Sequence, residues 1–223
     1  MTKAISLKQC KFSYPNHTKL VINIDQLSIE SGEKIFLYGP SGHGKSTLLN
    51  LTAGVLKANS GEVTVLGQDL TKLSQSKRDH LRGEKIGYIF QIFNLIPYLT
   101  VKENIVLPCM INKKRADHDF HAQAEELIDS LGLREHINKQ VTDLSIGQQQ
   151  RVAAARALIG NPEMIIADEP TSALDEKNTR EFMELLMKVW EKKKFTLLFV
   201  SHDERLRSYF ERSISLPEIN HHD

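Results

Sequence analysis

Three stretches of this 223-residue chain hold residue types whose spacing points to chemistry. GPSGHGKST at 39–47 fits a Gly-x4-Gly-Lys-Ser pattern at Gly39, Gly44, Lys45 and Ser46. Glycines let backbone N–H groups converge on a phosphate, and a helix starting just after them turns its positive dipole end to the same anion. Lys45 would reach the β- and γ-phosphates of a nucleotide, and the Ser46 hydroxyl would ligate Mg2+. MIIADEP at 164–170 is a short apolar run ending in two acids. At the C-terminal edge of a sheet, Asp168 would hold Mg2+, through water, and Glu169 would polarise an attacking water. LSIGQQQR at 144–151 reads, on its own, as a helix start in which Ser145 and Gln148 form a capping box.

These groups need elements to position them. VINIDQLSIE (21–30) has apolar residues at 22, 24, 27 and 29, a period of two with one slip, as a bulge would give. KIFLY (34–38) predicts a strand buried on both faces, leading into the Gly-rich turn, and LLNLTAGVL after it has the apolar stripe of a helix. NSGEVTVLG (59–67) predicts a turn and a half-buried strand. From about Gln91 to Val141 the pattern turns helical and more polar, with 117–132 the clearest amphipathic stretch. Then follow a helix over 148–159 closed by Gly160, a strand over 164–168, a helix over 176–192, a strand over 195–200 and a short helix. The alternation implies a mainly parallel sheet flanked by helices.

The order of these stretches resembles the ABC ATPase family, whose signature reads LSGGQ. The phosphate loop (39–47), Gln91 in YIFQ, LSIGQ (144–148), ADEP, SALD (172–175) and His202 in FVSHD all occur in the family's order. The resemblance covers nearly the whole chain and implies an α/β fold: a P-loop NTPase core with a mainly parallel sheet, an N-terminal antiparallel β subdomain and an inserted α-helical subdomain. The expected organisation is one domain over 1–223, with the core and β subdomain at about 1–90 and 152–217 and the helical subdomain at about 91–151.

The resemblance also implies roles. The whole loop (Gly39, Pro40, Ser41, Gly42, His43, Gly44, Lys45, Ser46 and Thr47) would bind ATP, with His43 at a free position that has no role of its own. Gln91 would sense Mg2+ and the attacking water while linking the core to the helical lobe. Ser145, Gly147 and Gln148 would close over the γ-phosphate held by a second subunit, and Asp175 would communicate across that dimer. His202 would contact the γ-phosphate and orient Glu169 with the water, and Tyr14 would stack on adenine. The implied activity is hydrolysis of ATP to ADP and phosphate, with ATP and Mg2+ as cofactors and a homodimer acting on integral membrane permease subunits from the cytoplasmic face. FNLIPYLTVKENIVLP (93–108) looks like the corresponding stretch of the lipoprotein-releasing, macrolide-export and cell-division ATPases. Ile146 departs from the pattern by standing where the family has its first signature glycine.

Composition sets the remaining bounds. With 29 Lys and Arg against 28 Asp and Glu, bulk charge announces no nucleic-acid partner. A cytosolic ABC ATPase acting on nucleic acid would be expected to show a second cassette, a coiled-coil insertion or a basic stripe, none of which is evident; the intact Glu169 and His202 argue against a regulatory scaffold that binds ATP but scarcely hydrolyses it, and a small P-loop kinase leaves LSIGQ unexplained. No apolar run approaches the ~20 residues of a spanning helix. Cys10 and Cys109 read as reduced thiols. His118 and His121 are expected on a solvated helix face rather than at a metal, His221 and His222 in a tail, and the runs Lys113–Arg115 and Lys192–Lys194 on solvated faces or helix ends.

Overall fold

The computed structural model describes residues 2–15, 19–116 and 119–221. In chain order the elements are β1 (Lys3–Phe12), β2 (Ile22–Glu30), β3 (Lys34–Tyr38), α1 (Lys45–Thr52), β4 (Ser60–Val65), β5 (Gln68–Asp69), α2 (Gln75–Lys85), β6 (Ile86–Ile89), α3 (Val101–Ile111), α4 (Phe120–Ser130), α5 (Ile146–Leu158), β7 (Met164–Asp168), α6 (Glu176–Lys193), β8 (Thr196–Val200), β9 (Arg212–Ser215) and α7 (Leu216–Ile219). They form two compact units, Met1–Arg82 with Thr196–Asp223, and Gly83–Phe195.

The first unit holds an antiparallel sheet of order β2-β1-β4-β5. The slip expected in β2 does not break its ladder with β1: Lys8 pairs with Gln26 and Cys10 with Ile24 in one register. That ladder shifts only at its end, between Lys3 and Ile5, and β1 shifts against β4 between Lys8 and Lys11, where Gln9 takes φ +47°. β1 changes its buried face there, from Ile5 and Leu7 to Cys10 and Phe12, and β2 follows in step. The same unit holds parallel strands, with β3 between β8 and β9. Ile35, Phe36, Leu37 and all of β8 are at most 2% exposed, as strands covered on both faces require.

In the second unit β6 and β7 pair in parallel, with Ile89 opposite Ala167. The helices start on side-chain caps: Thr100 with Glu103 for α3, Asp119 for α4, Ser145 with Gln148 for α5 and Asp175 for α6. Each cap satisfies an N–H that has no partner within the helix. Val152 to Ala155, Ala157 and Leu158 are at most 4% exposed, so small residues carry the packing of α5 on α3, α4 and β6. The basic run before α4 divides against expectation. Lys114 pairs with Glu84 at 3.1 Å, whereas Arg115 is 6% exposed and donates to the carbonyls of Ile86, Ala157 and Ile159 at 2.9, 2.7 and 3.0 Å. It sits at the end of α5, where orphan carbonyls and the negative dipole end attract a cation.

Candidate functional site

Because β3 and β8 run parallel with Leu37 opposite Val200, their C-terminal ends share one sheet edge. The phosphate loop leaves β3 there, and His202 follows β8. α1 begins at Lys45 after Gly44, whose φ of +93° suits glycine. A Cβ on Gly44 would stand 2.9 Å from the Val21 carbonyl oxygen, so both the backbone angle and the space exclude a side chain. No side chain caps α1, which leaves its first N–H groups for an anion. Lys45 Nζ folds back over the loop and donates to the carbonyls of Gly39 at 2.7 Å and Pro40 at 3.2 Å. An ammonium held by neutral carbonyls beside uncapped N–H groups fits a phosphate, which would replace the weaker acceptors.

A cleft of about 540 Å³ adjoins the loop, lined by Tyr14, Lys19, Leu20, Val21, Ser41, Gly42 and His43. That volume suits a small-molecule ligand. Tyr14 packs edge-on against Phe12, with ring centroids 5.0 Å apart, and its hydroxyl lies 3.1 Å from that of Thr47. The ring is thus oriented from both sides while remaining 38% exposed. His43 Nδ1 donates to the Ser41 carbonyl at 3.2 Å, closing the loop on itself.

In the second unit the parallel pairing of β6 and β7 brings another group of candidates to one edge. Gln91 follows β6 and is exposed; Asp168 ends β7 and Glu169 follows it, both half-buried. Glu169 adopts φ +47°, a left-handed angle unusual for a side chain of this kind, in a turn where Ser172 N donates to its carbonyl at 3.2 Å. Tyr88 adds a residue the sequence reading did not single out. Burial, followed by the charge of Asp168 and the hydrogen bond its hydroxyl donates to that carboxylate, holds the phenol far above its ordinary range. Tyr88 therefore remains a donor and orients the Asp168 carboxylate. Among the described residues no three His, Cys, Asp or Glu side chains gather as a cation cage. The Asp168 carboxylate in this unit is of the donor type that Mg2+ takes, an ion that completes its shell largely with water and phosphate oxygens.

The third group stands at the start of α5. Ser145 is the N-cap, Ile146 the first helical residue at 52% exposure, and Gly147 is buried. Ser145 N donates to Gln148 Oε1 at 2.9 Å, completing the expected capping box. Asp175 caps α6 by accepting from Asn178 N at 2.8 Å and Asn178 Nδ2 at 2.9 Å, and these bonds hold its carboxyl below the usual carboxylate range.

Asn220 is a second residue missed from sequence. It is 2% exposed, accepts from Asn23 N at 2.7 Å and donates to the carbonyls of Val21 and His43 at 3.0 and 3.2 Å, tying the phosphate loop to β2. His221, expected in a tail, instead donates its N–H to the Asn23 carbonyl at 2.9 Å. Its backbone extends the same clasp. His121 is exposed and packs on Phe120, as a surface residue would, and Lys194 ends α6 over the Trp190 ring. His118 and His222 lie outside the described residues. Both cysteines are free and buried, and burial pushes the Cys10 thiol up to about 11. No helix among the described residues is long and apolar enough to cross a membrane.

Comparison with known proteins finds relatives along nearly the whole chain. The sequence profile of the ABC transporter family matches residues 22–172. The lipoprotein-releasing system ATP-binding protein LolD 1 of Rhodopseudomonas palustris is 37% identical over 218 residues, 96% of each chain. YvcR of Bacillus subtilis, an uncharacterized ABC transporter ATP-binding protein, is 38% identical over 86% of this chain and 74% of its own. Among solved structures, a dimeric post-hydrolysis state of the ATP-binding cassette MJ0796, bound to ADP and Pi, aligns with a TM-score of 0.84 at 35% identity, covering 98% of this chain and 97% of that one. CbiO1 of Clostridium perfringens, part of the ABC transporter complex cbiONQ, aligns with a TM-score of 0.87 at 25% identity over 96% and 85% of the two chains.

Proposed function

This chain belongs to the ABC transporter family and is one of its ATPases, and from that premise we propose that two copies enclose two ATP and drive integral membrane permease subunits from the cytoplasmic face. Lys45 and the N–H groups of 39–47 bind the β- and γ-phosphates, Tyr14 stacks on adenine, and Ser46, Asp168 and Gln91 hold Mg2+. When bound, the ion neutralises charge on the transferring phosphate. Glu169 polarises the attacking water and His202 contacts the γ-phosphate. Ser145, Gly147 and Gln148 meet the γ-phosphate of the opposite subunit, and Asp175 communicates between the subunits.

The start of α5 carries this reading. Its cap is closed and Ser145 and Ile146 are both exposed, so a preformed helix N-terminus stands open to a partner. A site completed by a second copy makes specific activity rise with protein concentration, and permease subunits raise it further by favouring the closed dimer. Concentration-independent activity from a chain that stays monomeric would overturn it. The 93–108 stretch and the likeness to LolD 1 favour extrusion of a lipoprotein, peptide or drug over import. Co-purification of the chain with its membrane partner from native cells tests that choice.

A further inference from the structure

We propose that His136 is a positioning residue for the start of α5, acting as a neutral imidazole whose Nε2 accepts a hydrogen bond from the Gln148 amide. The inference rests on the reading that residues 145–148 meet a nucleotide across the dimer. Ser145 N donates to Gln148 Oε1 at 2.9 Å. A backbone N–H can bond only the oxygen of that amide, so the amide's orientation is forced and its NH2 points the other way. That NH2 lies 2.7 Å from His136 Nε2. Facing a donor, Nε2 must present its lone pair. The ring's one proton is then on Nδ1, which is buried without a hydrogen-bond partner among the described residues.

An imidazolium, or the other neutral tautomer, would set N–H against NH2. The Gln148 amide could relieve that only by turning its oxygen away from Ser145, which would open half of the capping box. The ring is also delivered from a fixed place. Its 3₁₀ segment, Arg134–His136, is anchored by Arg134 bonds to Asp129 at 2.6 and 2.5 Å and by a further bond to Glu125. His136 thus fixes the residue that fixes the first turn of α5, where the Ser145 hydroxyl and the Gly147 N–H have to be presented.

The test uses the full chain, with turnover at saturating ATP and high protein concentration measured separately from ATP affinity. His136→Arg places only donors against the Gln148 amide. Turnover is expected to fall about tenfold, equal to ~1.4 kcal/mol of transition-state stabilisation, with ATP affinity unchanged. His136→Gln instead offers a side-chain amide oxygen that can accept from the Gln148 NH2 in place of the ring nitrogen, and turnover is expected to stay well above that of His136→Arg. A role in packing alone would not separate two flexible polar side chains by whether they can accept a hydrogen bond.

Ser145→Ala separates the nucleotide contact from the positioning role. If it loses no turnover, the reading of 145–148 as a nucleotide contact fails. If it loses turnover while His136→Arg keeps the parent rate, or if His136→Gln turns over no faster than His136→Arg, the positioning role is overturned. Should His136→Arg not fold, the ring ¹⁵N shifts of the parent chain decide, with an unprotonated Nε2 expected and a protonated one overturning the proposal.

Discussion

Asn178 Oδ1 lies against Gly147, 2.9 Å from where a Cβ on that glycine would stand. The amide cannot simply swing aside, because Asp175 holds it through both the backbone and the side chain of Asn178. Asp175 and Gly147, 28 positions apart in the sequence, are thereby tied through one side chain. Gly147→Ala should therefore cost about 1–3 kcal/mol, the range for overpacking. Adding Asn178→Ala removes the obstructing atom and should restore part of that loss. Urea unfolding of both variants checks this, and parental stability in Gly147→Ala would disprove the tether.

Lys45 and Glu169 separate binding from chemistry. Lys45→Ala removes the ammonium that now rests on Gly39 and Pro40, so calorimetry should show ATP affinity falling together with hydrolysis. Glu169→Gln keeps the shape and should keep ATP affinity while hydrolysis drops ~10²–10⁴-fold, the usual worth of a positioned acid or base. It should also make an ATP-dependent dimer visible by light scattering. Parental turnover in either variant would remove that residue from its role.

The sequence was most legible where one signal dominated. β3 and β7 were visible at their full lengths because both faces are buried, and α5 and α6 because caps and apolar periodicity coincide. α2 had no such signal: in QSKRDHLRGEK only Arg78 and Leu81 are buried. Arg78 is held there by bonds to the carbonyls of Gly54 and Leu73, which no local pattern reveals. β9 reads RSIS and exists because β3 offers it an edge. The motif residues could be found by type and order. Tyr88, His136, Asn178 and Asn220 could not, because each acts through a residue distant in sequence or through a bond whose direction depends on the fold.

Arg115 gives a stability prediction independent of the nucleotide. Arg115→Met keeps much of the stem but leaves three buried carbonyls without their donor. The expected loss is about 3 kcal/mol, given that hydrogen bonds to a charged group are each worth more than neutral ones. Burial lowers the pKa of the guanidinium, but arginine keeps its charge in proteins near neutrality, so the loss should be the same at pH 6 and pH 8. A variant as stable as the parent would mean that water satisfies those carbonyls.

Ile146 is the place where this chain leaves its family's pattern, and its geometry shows why the departure is tolerated. It is the first residue of α5, in ordinary helical backbone after the Ser145 cap, so no glycine is needed there. Its side chain is half exposed and projects from the first turn instead of filling the core. Ile146→Gly should then leave ATP affinity of the monomer unchanged, loosen the helix start by up to ~1 kcal/mol, and alter only the turnover that depends on dimer formation. Ile146→Glu should lower that turnover more, because it brings a negative charge to the helix end proposed to meet a γ-phosphate. Comparing ATP affinity with turnover in both variants is the decisive measurement. If Ile146→Glu turns over at the parent rate, residues 145–148 do not face a phosphate, and the capping box is all that the motif does.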